Sequence, residues 1–353
     1  MNRFVKRYLV DTLSGMALGL FSTLIIGLIL KQVGSFFPLT VPGHFLVQLG
    51  QIVTVLTGAG IAAGVAHSLG APRLVLYAGL LNGLVGAYAT KFCDGSLITA
   101  SGILLSGPGD PLGALVAALV GAECGRLVSG KTKIDILVTP AVTILTGCLV
   151  AVLAGPPLAR ASTALGLLIK QATELQPFWM GIIISVSMGL FLTLPISSAA
   201  IGIILGLSGL AGGAATAGCA AQMVGFAVIS FHDNGLNGLF AQGLGTSMLQ
   251  IPNIIKNPRI WIPPTLASAI TGPLATVAFR MQNIPAGSGM GTSGLVGPLL
   301  TWQAMAGGSE SGVLVLVKII LMCFVLPALF SFLIYLPMRA KGWIRDGDMR
   351  LET

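Results

Sequence analysis

Long stretches without charged residues dominate the pattern of the chain. Asp, Glu, Lys and Arg are absent from residues 12–30, 32–72, 74–90, 175–231, 281–309 and 319–338. A helix that crosses a bilayer needs about 20 mainly apolar residues, so these stretches predict membrane-spanning helices, and the longest predict more than one. The pattern therefore indicates an all-α polytopic membrane protein.

We expect about ten membrane-spanning helices from this pattern. They lie near residues 13–33, 48–67, 73–91, 111–129, 136–155, 178–209, 212–231, 262–280, 291–306 and 312–337. The stretch 178–209 is long enough for two helices that meet at a bend at Pro195. The chain also carries 48 glycines and 19 prolines, which interrupt helices. Broken backbone is tolerated in lipid only beside protein or a water-filled cavity, so re-entrant hairpins and a cavity are expected.

Three pairs of short segments suggest two related halves within a single transmembrane domain, 1–353. The pairs are GLLNGLVG (79–86) with GLNGLFAQG (235–243), DPLGALVAALV (110–120) with GPLATVAF (272–279), and LVTPAVT (137–143) with LVGPLLT (295–301). An inverted repeat of two five-helix halves, 12–156 and 177–338, would explain their similar offsets, and chance similarity in an apolar sequence is the alternative. Residues 157–176 would then form an amphipathic connector and 339–353 a cytoplasmic tail.

The few charged residues are mostly basic and lie near the ends of spans. Only 8% of the residues are charged, against about a quarter in a soluble protein, and the net charge is +8. The basic groups before the first span, after a middle one and after the last are Arg3, Lys6, Arg7, Arg126, Lys131, Lys133, Arg339, Lys341, Arg345 and Arg350. This distribution predicts cytoplasmic termini and an even number of crossings, and no nucleic-acid motif accompanies it. Glu123 is expected to pair with Arg126.

One polar cluster stands out from the apolar background, the stretch FHDNGLNGLFAQGLGTSMLQIPN at 231–253. It is too short and too rich in glycine to span a bilayer comfortably, so it predicts a re-entrant hairpin that lines a solute pathway. An ordinary loop at the membrane surface is the alternative. The candidate substrate-binding residues of this stretch and of the preceding helix are Gln222, His232, Asp233, Asn234, Asn237, Gln242, Thr246 and Asn253.

Two further clusters add candidates. NIPAGSGMGTSGLVGPLLTWQ (283–303) contains Thr292 and Ser293 among glycines. It lacks the lysine of a nucleotide-binding loop, but its backbone N–H groups could bind an anionic part of a solute; a flexible loop or tight helix packing is the alternative. In LTLPISSAAIG (192–202), Pro195 should free backbone groups beside Ser197 and Ser198, unless the serines bond back to a kinked helix.

The sequence offers no catalytic or metal-binding pattern. The five cysteines form no CxxC pair, the three histidines are far apart, and neither GxSxG nor HExxH occurs. We therefore expect no catalytic residue, no metal and no cofactor, and an enzyme embedded in the membrane is a minor alternative.

The stretch CAAQMVGFAVISFHDNGLNGLFAQGLGTSMLQIPNIIKNPRIWIPPTLASAITGPLATVAF, followed by GSGMGTSGLVGPL, resembles the EIIC-type membrane permeases of the bacterial phosphotransferase system. Within them it is most similar to the branch of perfringolysin O regulator-like proteins. The resemblance implies a multi-pass permease of the bacterial cytoplasmic (inner) membrane, homodimeric, that works by alternating access with cytoplasmic A and B components. Only about 16 residues follow the last predicted span, so we expect no phosphorylating domain of its own, and the histidine and glutamate motifs of glucose-type permeases are missing.

These observations predict a transporter of a small hydrophilic solute rather than an enzyme. A membrane-bound regulator that senses a solute without moving it is the alternative. Neutral amides suit a sugar, whereas the glycine-rich helix start and the basic excess suit a small carboxylate or phosphate, and the sequence leaves both open.

Overall fold

The computed structural model of the protein describes residues 6–100, 102–172, 176–196, 198–306 and 311–351. Contacts divide the chain into two compact units, Met1–Ala161 and Ser162–Thr353. Both units are helical. The strands found among the described residues form one small antiparallel hairpin, β1 (Ile98–Thr99) with β2 (Gly102–Ile103).

Within the described residues, six helices are long and apolar enough to cross a membrane, and a seventh span results if one bent pair is counted as a unit. The all-α polytopic class is thus confirmed, whereas the count of about ten and the internal repeat are not. The helix Pro177–Thr193 shows one reason for the difference. Its 17 residues extend about 26 Å, short of the roughly 30 Å hydrocarbon core, because the chain breaks next to Pro195.

The first unit is a bundle of antiparallel helices. Its elements are α1 (Thr12–Ser35), α2 (Val41–Val55), α3 (Thr57–Ser68), α4 (Arg73–Ala87), α5 (Ala89–Cys93), the β hairpin, α6 (Pro111–Val128) and the start of α7 (Asp135–Ala172). Helices α2 and α3 meet at a bend of 53°. The predicted connector 157–176 continues α7 as far as Ala172, and residues 173–175 lie outside the described residues.

Close glycine contacts hold α1 and α3 together. A Cβ atom at Gly19 would lie 2.1 Å from the carbonyl oxygen of Gly60, and one at Gly64 would lie 2.0 Å from that of Gly15. Both helices therefore carry glycines four residues apart at their interface, the small-residue spacing that lets helix backbones approach closely in membranes.

Several charged groups of this unit lie near helix ends. The expected pair of Glu123 with Arg126 is confirmed at 2.7 Å, and Arg7 adds a second contact to Glu123 at 2.7 Å. At the start of α6, Asp110 Oδ1 accepts a hydrogen bond from the N–H of Leu112 at 3.2 Å, which caps the helix. The other carboxylate oxygen, Oδ2, is buried and has no hydrogen-bond partner among the described residues.

The second unit surrounds one buried helix. Its elements are α8 (Pro177–Thr193), α9 (Ser198–Ile204), α10 (Gly209–Ile229), α11 (Phe231–Phe240), α12 (Ile251–Lys256), α13 (Ile262–Pro273), α14 (Pro285–Ser288), α15 (Val296–Met305) and α16 (Gly312–Ala340). Helix α10 is the buried one, and 94% of its most apolar 18-residue stretch is buried. Its sequence, GLAGGAATAGCAAQMVGFAVI, is mostly glycine and alanine, so neighbouring helices can approach its backbone.

The contacts of α10 define two ends of this unit. Ser185 of α8 lies against Gly218 and Thr193 bonds Gln222, so α8 and α10 run in the same direction. The far end is where these two helices begin, and Thr276 at the end of the α13 span bonds Pro177 there. The tail end is where α10 and α16 finish and where the span that contains α13 begins.

Candidate functional site

The first of two turn-back segments covers residues 281–305 and enters from the far end. The N–H of Asn283 bonds the carbonyl oxygen of Gly209 at 3.2 Å, and Thr292 Oγ1 lies 3.5 Å from Met223 Sδ. The chain then reverses direction, and α15 runs back toward the start of the segment. There the N–H of Gln282 donates to Met305 Sδ at 3.4 Å. From Gly209 to Met223, this segment follows about 21 Å of α10.

The second turn-back segment covers residues 241–250 and enters from the tail end. Gln242 Nε2 donates to Ser230 Oγ at 2.8 Å, at the end of α10. Further along, the hydroxyl of Ser247 lies 2.8 Å from that of Thr193, which also bonds Gln222. From Ser230 back to Gln222, the segment thus reaches about 12 Å along α10 in the opposite direction.

The tips of the two turn-back segments meet beside the middle of α10. Thr292 Oγ1 donates to the carbonyl oxygen of Gly243 at 2.5 Å, and the hydroxyl is buried. The end of α8 reaches the same place through Thr193. We call this meeting point the junction and define it as Thr193, Gln222, Gly243, Ser247 and Thr292. Interrupted chain from three parts of the unit converges there.

Gln222 is the polar centre of the junction. Its side chain is 0% exposed, and its Oε1 atom accepts hydrogen bonds from Trp261 Nε1 at 2.9 Å and from Thr193 Oγ1 at 3.3 Å. Its Nε2 atom donates to Thr265 Oγ1 at 3.2 Å. A buried amide is costly unless its hydrogen-bonding groups are satisfied, and these partners satisfy it. The groups are neutral amides, hydroxyls and an indole, which can exchange these bonds for bonds to a hydroxyl-rich solute.

The candidates predicted from the sequence lie in several different places. Gln222 and Thr292 belong to the junction, and Gln242, Thr246 and Ser293 are buried next to it on the turn-back segments. Ser198 Oγ donates to the carbonyl oxygen of Gly289 at 2.7 Å and so joins α9 to the first segment.

The remaining candidates lie elsewhere. His232 has 66% of its side chain exposed at the tail end, and Asn237 is also exposed. Asp233, Asn234 and Asn253 bind the backbone of the C-terminal residues instead of facing the junction. Ser197 lies outside the described residues.

Five residues that form or contact the junction were not among the predicted candidates, although Gly243 and Ser247 lie within the predicted hairpin 231–253; the others are Thr193, Trp261 and Thr265. Thr193 could have been found, because it lies two residues before the break at Pro195. Trp261 and Thr265 carry no comparable signal, since only the packing of the α13 span against α10 turns them toward Gln222.

A cavity of 490 Å³ opens at the far end of the second unit. It is lined by Gln176, Pro177, Phe178, Leu210, Thr276, Val277, Arg280 and Gln282. Arg280 has a φ of +47°, a conformation that few residues other than glycine adopt and that costs about 1–3 kcal/mol. The lining therefore combines one cation, two amides and an aromatic ring, and it contains no carboxylate.

The segment GRLVSGKT (125–132) matches the letters of a nucleotide-binding loop, but its structure differs from one. Such a loop follows a strand and leads into a helix, whereas this segment contains the end of α6 at Val128. The N–H of Gly130 bonds the carboxylate of Asp135 at 2.8 Å, so an acidic group occupies the place of a phosphate. The segment is a helix C-terminus.

Comparison with curated proteins gives no match for this chain. The profile of one family, described as "Phosphotransferase system, EIIC", matches residues 10–351, almost the whole chain. Together with the apolar helices, this match makes the protein a multi-pass membrane protein of the transporter class. The chain belongs to the phosphotransferase system EIIC family.

Proposed function

We propose that this protein is the permease for a small hydrophilic solute of the sugar class, and that the solute binds at the junction. The observation that carries the proposal is the contact between Thr292 and Gly243, where two turn-back segments from opposite ends meet. Broken segments that meet near the middle of a membrane domain are typical of solute sites in transporters.

The junction also suggests how the solute passes. A solute bound there is separated from the far end by the first segment and from the tail end by the second. Alternating access requires that each barrier opens while the other stays closed. The hydrogen bonds that hold the tips contribute about 0.5–1.5 kcal/mol each, so solute hydroxyls can replace them without a large barrier.

The proposal also includes an orientation of the two ends of the second unit across the membrane. The basic residues of the chain ends favour a cytoplasmic location for both termini, which places the tail end inside and the far end outside. The far-end cavity then receives the solute first, and Arg280 and Gln282 offer charged and neutral donors to its oxygen atoms. The inner membrane, a homodimer, separate A and B components for phosphorylation and the perfringolysin O regulator-like branch stay predictions from the resemblance.

A ligand screen followed by a flux assay tests the proposal. Purified protein is melted in the presence of neutral sugars, polyols and sugar acids, because a ligand at 100 times its Kd adds about 2.7 kcal/mol of stability. The best ligand is then offered to proteoliposomes. Uptake of the ligand supports the permease, whereas binding without flux contradicts it and supports the solute-sensing regulator.

Two variants locate the site within this assay. Ser247→Ala removes a junction hydroxyl and should weaken binding of the ligand. Asn237→Ala removes an exposed amide outside the junction and should leave binding unchanged, so the reverse result would move the site to the surface of the tail end.

A further inference from the structure

The C-terminal residues 343–351 fold back over the tail end of the second unit, and we call them the tail segment. Two apolar side chains anchor it, because Ile344 and Met349 are 1% and 2% exposed and pack with Phe226 and Ile254 in one core cluster. The segment is not part of any helix or strand. Its backbone groups are therefore available to side chains of the unit, and several of them bond such side chains.

Two residues at the start of α11 bind the tail backbone from one side. The carboxylate of Asp233 accepts hydrogen bonds from the N–H groups of Gly347 at 2.9 Å and Met349 at 3.2 Å. The amide of Asn234 donates to the carbonyl oxygen of Met349 at 2.8 Å and accepts from the N–H of Leu351 at 2.8 Å. These bonds recognise the backbone of the tail segment, which forms turns between Arg345 and Arg350, rather than its side chains.

Residues at the end of the second turn-back segment and after it bind the tail from the other side. Gln250 Nε2 donates to the carbonyl oxygen of Met349 at 2.9 Å, and Asn253 Nδ2 donates to that of Arg350 at 3.0 Å. Asn257 Nδ2 donates to the carbonyl oxygen of Trp343 at 3.1 Å. The polar cluster that the sequence shows at 231–253 is in large part a binding site for a peptide.

The same residues connect the tail segment to the junction. Gln250 Nε2 also donates to Gln242 Oε1 at 2.8 Å, and Asn253 Nδ2 donates to Gln250 Oε1 at 2.9 Å. Gln242 in turn bonds Ser230 at the end of α10. The amides therefore fix both ends of the second turn-back segment, whose tip carries Gly243 and Ser247.

A glycine turn joins the tail segment to α16. Gly342 has a φ of +70° and lies in an exposed turn, and its N–H bonds the carbonyl oxygen of Arg339 at 2.9 Å. The N–H of Trp343 donates to the carbonyl oxygen of Met338 at 3.0 Å, which completes the end of α16.

We propose that the tail segment is a built-in peptide ligand that locks the second turn-back segment and closes the junction toward the tail end. Release of the tail frees Gln250 and Asn253, and the 241–250 segment can then move away from Thr292. The consequence for transport rests on the proposed function, whereas the lock itself does not.

Cleavage of the folded protein tests the lock without the risk that a truncated chain fails to fold. A protease site is inserted between Lys341 and Gly342, in the exposed turn, and the protein is cut after purification and washed free of the released peptide. A cysteine at Ser247 reports opening through its rate of modification by a hydrophilic maleimide, measured by mass spectrometry. The cysteines Cys93, Cys124 and Cys148 are replaced by serine beforehand.

The two remaining cysteines are internal controls, since Cys219 and Cys323 are 0% and 1% exposed. We expect cleavage to raise the modification rate at position 247 at least about tenfold while Cys323 stays protected, because only a local element opens. A synthetic peptide of residues 342–353 at millimolar concentration, the range of a tethered segment, should restore protection. A second variant, Asn234→Ala with Asn253→Ala, should raise the rate without cleavage.

An unchanged rate at position 247 after loss of the peptide would overturn the lock. So would parallel exposure of Cys323, which would show that the tail stabilises the whole unit rather than the segment. Neither outcome depends on a solute, so the flux assay decides the proposed function separately.

Discussion

Replacement of Gln222 by methionine tests the energetic role of the junction. Methionine has a similar size and flexibility, so packing changes little. It removes the oxygen that accepts the bond from Trp261 Nε1 at 2.9 Å. Thr193 keeps Ser247 as a partner at 2.8 Å, so the indole N–H is the group left without an acceptor. Such an orphaned donor costs about 1–3 kcal/mol, and we expect Gln222→Met to lower the free energy of unfolding by that amount.

A double-mutant cycle measures this contribution directly. Unfolding is followed in mixed detergent micelles for Gln222→Met, for Trp261→Phe and for the two together. Trp261→Phe removes the donor, so the combined variant should be more stable than the sum of the single losses by about 1 kcal/mol or more. Losses that add to within about 0.5 kcal/mol would refute the reasoning, because they would show that the two side chains do not interact.

Three further perturbations follow from the structure. Thr292→Val leaves the carbonyl oxygen of Gly243 without its donor and should lower the free energy of unfolding by about 1–3 kcal/mol. Thr301→Val removes a buried hydroxyl that has no partner among the described residues and should be neutral or stabilising. Gly83→Ala places a methyl group 2.1 Å from a backbone oxygen and should lower the melting temperature, whereas the methyl group of Gly79→Ala meets no described atom within 4 Å and should raise it slightly. Burial raises the pKa of Asp110, so the native state holds its proton more tightly than the unfolded state and stability falls as the pH rises from about 4 through the folded value. Asp110→Asn should therefore gain more stability at pH 7 than at pH 4, and an equal gain at both would contradict the sign.

The sequence showed where the chain is interrupted but not what the interruptions contact. The break at Pro195, the polar stretch 231–253 and the glycine-rich stretch 283–303 were all recognisable, because proline interrupts a helix and because dense clusters of amides or glycines stand out from the apolar background. The bonds of Asn234 illustrate what was not recognisable. An amide that binds a solute and an amide that binds a peptide backbone have the same sequence signature, and its partner Met349 is 115 residues away.

By itself, the sequence determined the polytopic helical class and the family, because long runs without charge can be buried only in lipid or in a protein core and because the match extends over most of the chain. The tertiary structure alone decided how many helices are long enough to span, which interruptions meet at Gln222, and which polar residues hold the tail segment. Helix length in this chain depends on where glycine and proline end each helix, and hydrogen-bond partners depend on packing between segments far apart in sequence. The hydrophobic pattern indicates whether a residue lies in an apolar or a polar environment, whereas the function of that residue depends on which other residues it contacts.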